Sequence, residues 1–114
     1  MLVAFSVAPS GVGSKGPACD DAGSVSPAVA AAVRVVRESG LPHRTDAMFT
    51  TIEGEWDEVM DVVKRATEAV GEYGSRVSLV LKADIRPGHV GELDGKLARL
   101  ERVIAAQDAA AQTA

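Results

Sequence analysis

Residues 39–60, SGLPHRTDAMFTTIEGEWDEVM, restrict the fold more than any other stretch, because they dictate a helix stop, a hairpin and a helix start in succession. Gly40 can adopt φ > 0 just past a helix end and Pro42 cannot continue a helix, so the preceding helix must stop here. From His43 to Glu53, three threonines with Met48, Phe49 and Ile52 suit two short strands joined near Ala47 and Met48. Gly54 ends the extended run. Glu55, Asp57 and Glu58 then favour the positive end of a helix dipole, while Trp56, Val59 and Met60 open an apolar stripe.

The flanking segments supply the rest. Residues 2–8 alternate, with Val3, Phe5 and Val7 against Leu2, Ala4, Ser6 and Ala8, which predicts a first strand. Ser26 as cap and Pro27 at the first helical position open a helix whose stripe is Val29, Val33, Val36 and the intervening alanines, running to Ser39. The second helix spans about Glu55 to Tyr73 on Val59, Val63, Ala66 and Val70, with Gly74 closing it. Arg76–Ile85 alternates again as the last strand, and Arg86-Pro87-Gly88 breaks it. Leu93, Leu97, Leu100 and Ile104 mark a third helix, and the alanine-rich tail from Ala105 is expected to fray.

Between the first strand and first helix, residues 9–24 (PSGVGSKGPACDDAGS) show no periodicity and predict a long surface loop. Gly11, Gly13 and Gly16 spell G-x-G-x-x-G after a strand, a pattern that cradles a pyrophosphate when a helix begins at once. The helix signal at Ser26 comes about ten residues too late, so these read as loop glycines. Lys15 does not complete a P-loop.

Strand, helix, strand, strand, helix, strand and an extra helix give an α+β class: a ferredoxin-like βαββαβ antiparallel sheet with an additional C-terminal helix. One domain over residues 1–114 is expected, with residues 10–24 and 105–114 flexible. Right-handed crossovers put both inner helices on one sheet face. The other face, with Ala4, Val80 and Phe49, is then apolar and open, which predicts self-association as a homodimer or homotetramer with help from the C-terminal helix.

Composition narrows the chemistry. Twelve basic against sixteen acidic residues give a net charge of −4 with no basic stripe, which argues against nucleic acid. One cysteine and two histidines cannot build a standard zinc site, and no metal or cofactor is expected. The start MLVAFSVAPSG has no basic n-region and no stretch reaches membrane-spanning length, so a cytoplasmic location is the expectation. His43 and His89 lie beside prolines without a nucleophile context, Asp84 and Arg86 most simply pair with each other or with Lys82, and no enzyme activity is expected.

AFSVAPSG, SGLPHRTDAMFTTIEGEWDEVM and SRVSLVLKADIR together resemble the YkoF-like thiamine-binding family, whose typical core motif is P-M-G-T-x-I-E-G-E. Met48, Thr50, Ile52, Glu53, Gly54 and Glu55 keep that motif; Ala47 and Phe49 stand where the family usually has Pro and Gly. The resemblance implies an oligomeric, non-catalytic protein that binds thiamine or its hydroxymethylpyrimidine precursor. An aminopyrimidine offers an amine donor and ring-nitrogen acceptors, so it needs a carboxylate or carbonyl beside a hydroxyl or N–H in a partly apolar hollow. Ser6, Met48, Thr50, Thr51 and Glu53 are the candidate ligand-binding residues. Strand alternation sets Thr51 and Glu53 on the face opposite Thr50. The alternative is a regulatory or structural module that oligomerises or binds a partner protein without a metabolite.

Overall fold

Two-residue alternation and helical stripes become elements close to where the sequence places them. The computed structural model describes residues 1–113. In chain order these form β1 (Leu2–Ser10), β2 (Val12–Gly13), β3 (Gly16–Pro17), α1 (Ser26–Glu38), β4 (His43–Thr45), β5 (Thr50–Glu53), α2 (Trp56–Gly71), β6 (Arg76–Asp84) and α3 (Glu92–Thr113). The main sheet has the order β4-β5-β1-β6 and is antiparallel throughout, so the fold is ferredoxin-like with an added C-terminal helix.

Register decides which side chains share a face. Val3 sits opposite Ile52 and Ala83, and Phe5 opposite Thr50 and Leu81, so these residues look toward α1 and α2. Val3, Ile52, Val36, Val59 and Val70 are fully buried there and form the centre of the core. Each such side chain contributes about 1.5–3 kcal/mol relative to exposure. Leu2, Ala4, Thr51, Glu53, Lys82 and Asp84 occupy the other face.

The helices differ from expectation in detail. In α1 the buried stripe is Ala28, Ala32 and Val36, and Val29 and Val33 turn away from the core centre. Small alanines suit the side of α1 that packs against α2 and the sheet, and periodicity alone ranked Val29 and Val33 with them as core. Ser26 is the first helical residue and not the cap; the Ser24 hydroxyl accepts its N–H at 3.2 Å. Gly40 exits α1 at φ 74°, as the stop signal requires. At the start of α2 the Glu58 carboxylate turns back to accept the Glu55 N–H at 2.8 Å, the returning half of a capping box.

The segment expected as a structureless loop contains the β2–β3 hairpin, which closes over the C-terminal end of α2. The Lys15 N–H donates to the Glu72 carbonyl at 2.7 Å, and its ammonium pairs with the Glu72 carboxylate at 2.9 Å. Gly13 passes so near the Gly74 and Glu72 backbone that a Cβ would collide. Gly13 thus lets the hairpin come close enough for the Lys15 N–H to cap the helix, since the last carbonyls of a helix need donors from outside it.

Only the first turns of α3 meet the second sheet face. The rest projects: the longest dimension is 61 Å and the radius of gyration 17.8 Å, against about 13 Å for a compact chain of this length. The helix runs through the alanine-rich segment to Thr113, consistent with the helix propensity of alanine. No helix among the described residues is long and apolar enough to cross a membrane.

Candidate functional site

β1 is longer than its partner on one side. It pairs with β6 over Leu2–Ser10 but with β5 only over Leu2–Phe5, because β5 begins at Thr50 and the chain turns away through residues 46–49. From Ser6 onward that edge of β1 has no strand partner among the described residues. The gap is a groove of about 280 Å³ between the β1 edge, the hairpin turn and the outer side of α1. Its floor includes Phe5 and Ser6, and Val29 and Val33 form the wall that α1 turned away from the core. Met48 and Phe49 close it from the turn.

The turn is held by Asp46. One carboxylate oxygen accepts the N–H groups of Met48 and Phe49, each at 2.8 Å, and the Asp46 N–H donates to the Phe49 carbonyl at 2.9 Å. Those two backbone N–H groups hold the Asp46 carboxyl below the usual aspartate range, Met48 first and Phe49 second. Among the described residues no donor is hydrogen-bonded to the second oxygen, which keeps its accepting capacity. Thr50 is buried, and its hydroxyl lies 3.1 Å from that of Thr45. Phe49 belongs to this groove and not to the open sheet face where its sequence position suggested it.

Of the five residues singled out from the sequence, Ser6, Met48 and Thr50 come together here. Thr51 does not: it lies on the second face, beside Leu2, Arg44 and Leu97 of α3. Glu53 is 7% exposed and engaged elsewhere, accepting the Glu92 N–H at 2.8 Å and the Leu93 N–H at 3.3 Å. It caps α3 across the sheet, supplying a carboxylate to the positive end of that helix. The residue that motif reasoning missed is Asp46. Its signal was present, since an aspartate opening a short turn before two apolar residues commonly binds the backbone two and three residues on.

At the other end of β1, Asp84 pairs with Lys96 at 2.6 Å and not with Arg86 or Lys82, because α3 crosses above it. His43 gives Nδ1 to the Leu41 carbonyl contact at 2.8 Å, and His89 to that of Pro87 at 3.2 Å. Among the described residues no three His, Cys, Asp or Glu side chains cluster as a metal site would require.

Comparison with known proteins places the chain in a class. Residues 3–101 match the thiamine-binding protein family, and the chain belongs to that family. A UPF0045 protein of Mycobacterium bovis is 51% identical over 105 residues, covering 91% of this chain and 94% of that one. A UPF0045 protein of Synechocystis is 35% identical, covering 89% and 77%. Among solved structures, a hypothetical protein of Methanocaldococcus jannaschii has a TM-score of 0.72 at 30% identity, over 88% of this chain and 94% of that one. A Thermotoga maritima protein assigned provisionally to thiamine biosynthesis or salvage shares the fold at a TM-score of 0.65 and 24% identity, over 88% and 99%.

Proposed function

We propose that the groove beside Ser6 and Asp46 binds the aminopyrimidine of thiamine or of its hydroxymethylpyrimidine precursor, without a chemical step, in a cytoplasmic protein. The observation that carries this reading is the unpaired β1 edge beside the Asp46 carboxylate. Backbone N–H and C=O groups of a bare strand edge complement ring nitrogens and an exocyclic amine, and the free Asp46 oxygen accepts a further N–H. Val29, Val33 and the Phe49 ring supply the apolar walls against which an aromatic ring packs. A volume of about 280 Å³ lies at the small end of ligand sites, which suits one ring better than an extended molecule. A thiazolium cation gains further from the ionised Asp46. Family membership supports the ligand class. Calorimetric titration of the full chain with thiamine and hydroxymethylpyrimidine tests it: binding to at least one, weakened by Asp46→Asn, is expected. The absence of both heat and a melting shift for both compounds removes it.

Self-association is favoured by a separate observation. Leu97, Leu100, Val103 and Ile104 are between 41% and 53% exposed along the projecting part of α3. Leu93, Leu97, Leu100 and Ile104 recur at steps of four, three and four, the spacing of a helix-pairing seam. A second copy presenting the same stripe covers it, which also suits the alternative role of a structural module. Sedimentation of the chain against Leu100→Lys distinguishes a pairing helix from a solitary one.

A further inference from the structure

Below the groove, at the opposite end of β1, two hollows adjoin and share Arg86 and His89 of the β6–α3 connection. One, of about 320 Å³, is walled by Trp56, Ile85, Pro87 and Val90. The other, of about 220 Å³, is walled by Asp84, Glu92, Lys96 and Arg99. Trp56, Ile85 and Val90 are 54%, 58% and 83% exposed, so the first is an apolar surface left to water. The second is cationic on balance. Lys96 holds Asp84 at 2.6 Å and Arg99 holds Glu92 at 3.1 Å, which neutralises both carboxylates and fixes the two cations with donors to spare. Arg86 has no carboxylate within ion-pair distance among the described residues. The Arg99 hydrogen bond above all, then the charges of Arg99, His89 and Arg86, hold the Glu92 carboxyl below its usual range against the pull of burial, so the field of Arg86 and His89 reaches this pocket. In a chain of net charge −4, three cations converge on one half of this double hollow, and Arg86 carries that charge to the edge of the half that holds the exposed indole.

We propose that this double hollow is a second small-molecule site, for a phosphorylated aromatic compound of nucleoside-monophosphate size. A neutral ring stacks on the Trp56 indole among Ile85, Pro87 and Val90, and its phosphate reaches Arg86 with Lys96 and Arg99 behind. Glu55, which lines the apolar half and not the cationic one, sets the polarity by disfavouring the anionic end there. A thiazolium cation is disfavoured here, so the site is distinct in chemistry as well as place from the groove.

Trp56 is the only tryptophan, so fluorescence of the full chain excited beyond the absorption of Tyr73 reports this site alone. Titration with AMP is expected to quench it saturably, with adenosine at least about tenfold weaker and inorganic phosphate competing. Arg86→Gln, an exposed position whose folding is checked by circular dichroism, is expected to lower AMP affinity about tenfold, measured by both fluorescence and calorimetry. Thiamine is expected to leave the signal unchanged. No saturable quenching by AMP, equal quenching by adenosine, or unaltered affinity in Arg86→Gln overturns the proposal. None of these outcomes bears on whether the groove binds a pyrimidine.

Discussion

Two helices of this chain, α2 and α3, begin in similar ways and end in opposite circumstances. Both start with carboxylates, Asp57 and Glu58 in one and Glu92 and Asp94 in the other, and both carry an apolar stripe. α2 buries Val59, Val62, Val63, Ala66 and Val70 against the sheet, whereas α3 leaves Leu97, Leu100, Val103 and Ile104 in water. Burial is a property of what lies opposite, not of the stripe. α2 is stapled by the crossover that the fold requires, while α3 is anchored at one end by Glu53, Asp84 and Arg44 and finds no sheet beneath its later turns.

That contrast can be broken at several points. The largest effect belongs to the body: Ile52→Ala removes a fully buried side chain between the sheet and the helices, and a loss of about 2–5 kcal/mol in chemical denaturation is expected at every protein concentration. A loss under about 0.5 kcal/mol would mean that the core does not centre on β5. Leu100→Lys in α3 is expected to act differently. It should leave monomer stability within about 0.5 kcal/mol and abolish any dependence of the melting temperature on concentration. If that dependence survives, the exposed stripe is not the association surface.

At the hinge between the two regions, Glu53→Gln keeps one acceptor for the α3 amides but turns an NH₂ toward the other. A destabilisation of about 1 kcal/mol is expected, with faster amide exchange confined to the first turn of α3. Uniform change across the chain would show that Glu53 supports the core instead. Phe49→Gly, which widens the groove, should leave α2 and α3 untouched and shift preference from hydroxymethylpyrimidine toward thiamine by about 1 kcal/mol, a factor near five. An unaltered ratio means that the ring is not a wall of the site.

The smallest effect is acid loosening of α3. Asp84 is held below its usual range first by the Lys96 hydrogen bond and Glu92 first by that of Arg99, so both bind protons less readily when folded. Their stabilisation is therefore complete above the unfolded carboxyl range of about 4 and is lost as pH falls through the lowered folded values. Proteolysis within α3 should rise over that window before the body unfolds, and more gently at high salt, since the Lys96–Asp84 pair is exposed enough to be screened whereas the Glu92 side chain is largely covered. Simultaneous loss of body and helix would contradict the division.

Much of this was legible in the chain. The stop at Gly40 and Pro42, the hairpin through His43–Glu53, the outer alternating strands and the third helix all rest on local backbone preference and periodicity, which neighbours reinforce. The phase of α1 was only partly legible: Val36 and the alanines are in the core as the stripe implied, but packing against α2 and the sheet favoured Ala28 and Ala32 over the larger Val29 and Val33. The candidate site was half legible: the motif located Met48 and Thr50, but spacing along a strand cannot say that β5 stops opposite Phe5 and exposes the edge at Ser6.

By itself the sequence determined the kind and order of the helices and of the four strands of the main sheet, and the side of each of those strands, because those follow from dihedral preference and the two-residue pleat; the β2–β3 hairpin it did not. Tertiary structure alone decided that Glu53 caps a helix 39 residues away and that Asp46 and Ser6 meet across a gap. Those contacts join positions far apart in the chain, and only the register of the closed sheet sets the distance between them.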